Sequence, residues 1–136
     1  MNIAIIDGQG GGIGRALAEQ LLPYCPERCS LFAFGTNSLA TSAMLKAGIK
    51  DCATGENAII FNAPRMDIIT GPIGIISANS MLGEFTPAMA CAISNSAAKK
   101  VLVPVRKCSI EIAGCSDLPL MAYIEAAAQA IIKYMA

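Results

Sequence analysis

The chain has 136 residues, enough for one domain with a real hydrophobic core and with little room for a second. Its ten basic and ten acidic residues cancel, and the pairs Lys99-Lys100 and Arg106-Lys107 form no basic stripe, so composition argues against a nucleic-acid partner. With 54% hydrophobic and 15% charged residues the surface is lean for a monomer, which predicts a homo-oligomer, most simply a homodimer.

The start, Met1-Asn2-Ile3-Ala4, carries no basic leader, and no segment reaches the roughly 18 to 20 unbroken apolar residues of a membrane span. The expectation is a cytoplasmic protein with no membrane partner, in which Cys25, Cys29, Cys52, Cys91, Cys108 and Cys115 stay as thiols. Residues 3–7 read as a short buried strand, and Ile13, Leu17 and Leu21 recur at helical spacing until Pro23. Ser30–Gly35 is a second apolar strand. Asn37 or Ser38 can cap a helix that runs to about Lys46 and is closed by Gly48. Residues 49–53 suggest a third, short strand. A helix begins at Thr54-Gly55-Glu56-Asn57, with Glu56 as a capping residue, and fades at Pro64, a strand at Ile59-Ile60-Phe61 being the alternative.

Asp67-Ile68-Ile69-Thr70 predicts a fourth strand ending in Gly71-Pro72-Ile73-Gly74, with helix resuming over 75–82. Thr86-Pro87 marks a cap with proline at the first helical position, for a helix over 87–97. Residues 101–105 read as a fifth strand and 109–113 as a sixth, before a final Ala-rich helix from about Asp117 to the end. Strands alternate with helices throughout, and the early strands are continuously apolar. The pattern predicts a single Rossmann-like domain over 1–136, a three-layer α/β/α sandwich with a mostly parallel sheet of about five to six strands.

The segment Asp7-Gly8-Gln9-Gly10-Gly11-Gly12-Ile13-Gly14 places five glycines in the turn between the first strand and its helix. A phosphate approaches a helix N-terminus only where no side chain blocks it, and there it meets free N–H groups and the positive end of the helix dipole. Glycine permits that approach, although a turn that merely joins strand to helix tightly is the plainer alternative. A P-loop is excluded, because Gly14 is followed by Arg15-Ala16 rather than by Lys and a metal-binding hydroxyl. The loops after strands one, two and four, carrying Gly8–Gly14, Thr36-Asn37 and Gly71–Gly74, converge on one crevice in an open parallel sheet.

The spacing Gly8-x-x-x-Gly12-Ile13-Gly14, followed by Arg15-Ala16-Leu17-Ala18, resembles the nucleotide-binding turn of short-chain dehydrogenases/reductases, with Asp7 where that family usually has Thr. The resemblance covers the first half of the chain. It implies an adenine contact for Asp51, taken as closing the third strand, and likens Asp67–Ile75 to that family's fourth strand and following turn. Two departures matter. Thr36 and Asn37 stand where an acid reading an NAD ribose or an Arg reading a 2′-phosphate is expected, so no strong preference for NAD over NADP follows. No Tyr-x-x-x-Lys pair exists, so hydride transfer by that family's machinery is not expected.

Over its whole length the chain resembles the bacterial domain-of-unknown-function family 3842. The residues that carry this are Asp7–Gly14, Gly35-Thr36-Asn37 with Ala40-Thr41, Met44–Gly48, Ala53–Ile59, Gly71–Ile76 and Ala78–Glu84. That family implies no activity.

The residues thus point to a phosphate-bearing ligand, NAD(P) or another nucleotide, held by Gly8, Gln9, Gly10, Gly11, Gly12, Ile13, Gly14, Thr36, Asn37, Asp51, Gly71, Pro72, Ile73 and Gly74. One alternative is a small enzyme acting on a phosphorylated metabolite, with Asp7 or Glu84 as acid/base; another is a structural or regulatory protein whose loop is empty. Asp7 has its own plainer role, a strand-end residue bonding nearby N–H groups. Asn79, Ser80 and Glu84 are equally readable as loop-stabilising or substrate-binding. Cys25-x-x-x-Cys29 and Cys108-x₆-Cys115 match no common zinc knuckle, and the chain has no His, so no metal site is expected.

Overall fold

The computed structural model describes residues 1–105 and 109–136. The elements are β1 (Asn2–Asp7), α1 (Gly12–Leu21), β2 (Ser30–Gly35), α2 (Ser38–Ala47), β3 (Asp51–Thr54), α3 (Glu56–Asn62), β4 (Ile68–Pro72), α4 (Pro87–Asn95), β5 (Lys99–Val103) and α5 (Leu120–Met135). The five strands form one sheet in the order β3-β2-β1-β4-β5, and every pairing is parallel. This is the Rossmann strand order, with the change of winding direction falling between β1 and β4.

The continuous apolar run of β1 has a direct cause: the strand is buried on both faces. Ile3 and Ile5 pack with Leu17 and Leu21 of α1, Met44 of α2 and Ile131 of α5, whereas Ala4 and Ile6 pack with Ile59 of α3 and Met89 and Ile93 of α4. Helix ends follow local chemistry. The Asn37 side chain accepts the Ala40 N–H at 2.9 Å, and Gly48, with φ 119°, closes α2. Thr86 accepts the Met89 N–H at 3.2 Å ahead of Pro87, and its hydroxyl donates to Glu56 Oε1 at 2.6 Å, joining the N-terminal ends of α3 and α4. Pro64 lies in a 3₁₀ turn (Ala63–Arg65) that ends α3 early. No helix among the described residues is long and apolar enough to cross a membrane.

Several expectations need correction. The third strand runs over Asp51–Thr54, its pairing with β2 starting at Asp51 opposite Phe32, and Ile49 is buried in the core ahead of it. The fifth runs over Lys99–Val103 and stops before Pro104, rather than covering 101–105. Residues 109–113 form no sixth strand; Ile110 and Ile112 both stay exposed, so the segment lacks a buried face with which to join the sheet. The helix expected over 75–82 is a 3₁₀ turn (Ile73–Ile76) followed by tight turns in which Asn79, Met81 and Leu82 take φ of 62°, 57° and 57°. Local bonds outcompete the helix here. Ser80 Oγ donates to the Gly74 carbonyl, and paired backbone bonds Asn79–Phe85 (2.9 Å) and Phe85–Ser80 (3.1 Å) close a loop that drives Phe85 into the core.

At the change of winding direction, Gly71 in β4 has φ 156°, and a Cβ there would lie 2.1 Å from the Ile6 carbonyl oxygen. Gly71→Ala is therefore predicted to lower the unfolding free energy by about 3 kcal/mol. Urea denaturation checks this, and a loss below about 1 kcal/mol would contradict it.

Candidate functional site

β1 ends in Asp7, whose side chain sets the turn that follows. Its Oδ1 accepts the Gly8 N–H at 2.8 Å and its Oδ2 the Gly14 N–H at 2.7 Å, so one carboxylate ties the strand end to the first turn of α1. Gly11 (φ 73°) sits at the N-cap of α1 and donates to the Gly8 carbonyl at 2.9 Å. The glycines then divide by role. A Cβ at Gly14 would lie 2.6 Å from Met44 Sδ and 2.9 Å from Asp7 Cβ, whereas at Gly10 and Gly12 it would meet nothing within 4 Å. Gly14 serves packing; Gly10 and Gly12 leave the outer surface of the loop bare.

Asp7 is only 4% exposed. Burial pushes its carboxyl up, the Gly14 and Gly8 N–H groups pull it down, and the nearby Glu84 charge pushes it up again; the net direction is upward. Both oxygens are already engaged by backbone, which suits an anchor better than an acid/base that must release its partner.

Glu84 arrives from the loop between β4 and α4. Its Oε1 accepts the Gln9 N–H at 2.9 Å, the Thr36 hydroxyl and the Asn37 amide. Asn37 also donates to the Gln9 carbonyl at 3.0 Å. Burial pushes the Glu84 carboxyl up, but the Thr36, Gln9 and Asn37 donors outweigh it and hold it below the usual carboxylate range. Glu84 is therefore an ionised acceptor at neutral pH and a poor proton donor.

Beside these groups, at the C-terminal ends of β1 and β4, lies a cavity of about 660 Å³. Asp7, Gly8, Gln9, Ile13, Pro72 and Gly74 line it from the sheet side, the turn Ser77–Leu82 forms one wall, and Val105 and Ser109 complete it. Gly10 and Gly12 are exposed next to it. Thr36 and Asn37 are gathered to the same place through Glu84. Gly71 is buried in β4 and acts in strand packing, while Ile73 faces a neighbouring cavity of about 540 Å³. Asp51 is corrected outright: it opens β3 opposite Phe32, whereas the strand end beside Gly35 is Thr54, so Asp51 stands away from the cleft. The sequence reading missed Ser77, Met81, Val105 and Ser109. Ser77, Asn79 and Ser80, whose side chains compete for backbone bonds, were the available signal for a loop there.

No Lys or Arg is among the described lining residues, and Arg15 is turned to Glu19 at 2.9 Å. Among the described residues no three His, Cys, Asp or Glu side chains gather as a metal site, and Cys25, Cys29, Cys52, Cys91 and Cys115 are free thiols; Cys108 lies outside the described residues.

Replacing Asp7 by Asn turns an amide N–H against the Gly8 or Gly14 N–H, and is predicted to cost about 1–3 kcal/mol of stability. The pH profile gives a second readout. Because the folded carboxyl is raised, the stability it contributes is fully present below the unfolded carboxylate range and is lost as pH rises through the folded value. The gap between wild type and Asp7→Asn should thus narrow over that interval in denaturation curves, and a gap that widens with pH would contradict the assignment.

A search of curated proteins finds no match. Among solved structures, the chain is similar to a dodecameric FMN-dependent UbiX-like decarboxylase from Escherichia coli O157:H7, with 16% identity and a TM-score of 0.48, covering 98% of this chain and 76% of that one. A family model described as a domain of unknown function, DUF3842, matches residues 2–136. The chain belongs to the DUF3842 family.

Proposed function

We propose that this protein binds a nucleotide or dinucleotide, of NAD(P) type or another, with its phosphates against Gly10–Gly12 and the rest of the ligand in the adjoining cleft. One observation carries the reading. The N–H groups of the exposed residues Gly10 and Gly12 meet no acceptor among the described residues, at the start of α1 and beside a cavity of about 660 Å³ at the winding reversal of a parallel sheet. Backbone donors, the helix dipole and a cleft of ligand size favour an anionic, elongated ligand there. Acid/base chemistry on a phosphorylated metabolite is less well supported, because Asp7 is held at both oxygens and Glu84 is held ionised.

A calorimetric screen of NAD, NADP, ATP, GTP and flavin nucleotides is expected to find binding, and none at millimolar concentration would overturn the reading. Gly10→Val should weaken that binding by about tenfold or more with little change in melting temperature, because the side chain enters open ligand space. Gly14→Val should lower the melting temperature with or without ligand, by about 1–3 kcal/mol of stability. Full affinity in Gly10→Val would leave the bare loop without a ligand role.

The proposal includes self-association. Leu39, Leu45, Ile60 and Phe61 remain exposed on α2 and α3, which a monomer would leave in water. Light scattering should give a multiple of the 14.1 kDa chain mass, and the mass of one chain would refute it.

A further inference from the structure

In sheets of this strand order, a carboxylate at the end of β2 accepts a ribose hydroxyl of the bound dinucleotide. Here β2 ends in Gly35-Thr36-Asn37, and no acid stands on that strand end. A carboxylate is nevertheless present at that position in space. Glu84 Oε1 is bonded to both Thr36 and Asn37, and also to the Gln9 N–H at 2.9 Å. It lies 3.3 Å from where a Cβ of Gly8 would be, hence directly beside the first glycine of the loop. All three donors converge on Oε1, and Oε2 makes no hydrogen bond to a described residue. Glu84 as a residue is only partly buried.

The loop that brings Glu84 here holds an unfavourable backbone. Met81 and Leu82 take φ of 57° and Gly83 of 87°, three successive left-handed residues immediately before it. Such conformations persist only where the surroundings over-determine them. Two restraints do so: the burial of Phe85 on one side, and the three-donor grip on Glu84 on the other.

We propose that Glu84, delivered from the β4–α4 loop, is the sugar-reading acid of this cleft: Oε2 accepts a ribose 2′- or 3′-hydroxyl, and the carboxylate charge rejects a 2′-phosphate. The proposal rests on the nucleotide reading above. It replaces the expectation, drawn from Thr36 and Asn37 alone, that NAD and NADP bind equally. Their role becomes positioning: they hold one oxygen of Glu84 so that the other faces the sugar.

Glu84→Gln separates reading from anchoring. Its amide oxygen can still take the Gln9, Thr36 and Asn37 donors, while the group facing the ligand becomes an uncharged N–H donor. Calorimetric titration of wild type with NAD and with NADP should show NAD preferred by at least about tenfold. In Glu84→Gln the ratio should fall close to unity, through weaker NAD binding, with a melting temperature near that of wild type. Glu84→Ala, which removes the anchor as well, should also lower the melting temperature. Equal affinities in wild type, or an unchanged ratio in Glu84→Gln, would overturn the proposal while leaving nucleotide binding intact, and the wild-type ratio alone decides it should Glu84→Gln not fold. If wild type binds neither dinucleotide nor any other nucleotide, both readings fall together.

Discussion

The carboxylate of Asp7 is the fixed point of the glycine loop. By accepting the Gly8 and Gly14 N–H groups with separate oxygens, it forces the chain to leave β1, turn and enter α1 within a few residues. This use of a carboxylate also decides where an external anion can sit. The innermost donor of the helix start, Gly14, is already taken by an internal acid, so the helix dipole is partly met before any ligand arrives. What remains for the proposed phosphate is the outer surface at Gly10 and Gly12, where a Cβ would meet nothing within 4 Å. A deep cradle of the P-loop kind is therefore absent for a structural reason as well as for want of a Lys and a hydroxyl after Gly14.

Two carboxylates stand close to the same loop, and their surroundings push them in opposite directions. Asp7, buried and near a second negative charge, is raised; Glu84, more open and gripped by Thr36, Gln9 and Asn37, is lowered. Opposite environments of this kind assign opposite duties. The raised group faces backbone on both oxygens and holds the fold, whereas the lowered group has its three donors on one oxygen and none on the other among the described residues. Among the described residues near this pair, the groups available to attract an anion are oriented N–H groups, since Arg15 is directed to Glu19. Such donors act over short range and through direction, so in the proposed role the shape of the loop carries the recognition of an anion.

The sheet was legible in the sequence because its signals are local. Apolar runs such as Ile3–Ile6 need burial on both faces, and Asn37, Gly48 and Thr86-Pro87 are caps whose bonds reach only a few residues. Errors arose where distant contacts decide. Residues 75–82 carry apolar spacing compatible with a helix, but the Ser80–Gly74 and Asn79–Phe85 bonds, with the burial of Phe85, fold them into turns. The adenine role of Asp51 depended on its closing a strand that it in fact opens. The glycine loop could be located, yet the meeting of Glu84 with Thr36 and Gln9, 48 and 75 positions away, has no trace in local spacing.

That long reach has a consequence for how the cleft is built. An acid carried on the end of β2 would be part of the sheet and indifferent to the loop after β4. An acid carried on that loop makes the wall of the cavity and the proposed sugar contact one unit, because the turn Ser77–Leu82 lines the cavity and Glu84 fastens its end. The left-handed run at Met81, Leu82 and Gly83 opposes this arrangement, and the bonds to Gln9, Thr36 and Asn37 sustain it. A ligand hydroxyl on Oε2 would add to the same side of that balance. In the proposed role, recognition of the sugar and the shape of the cleft are thus set by one carboxylate, through its two oxygens.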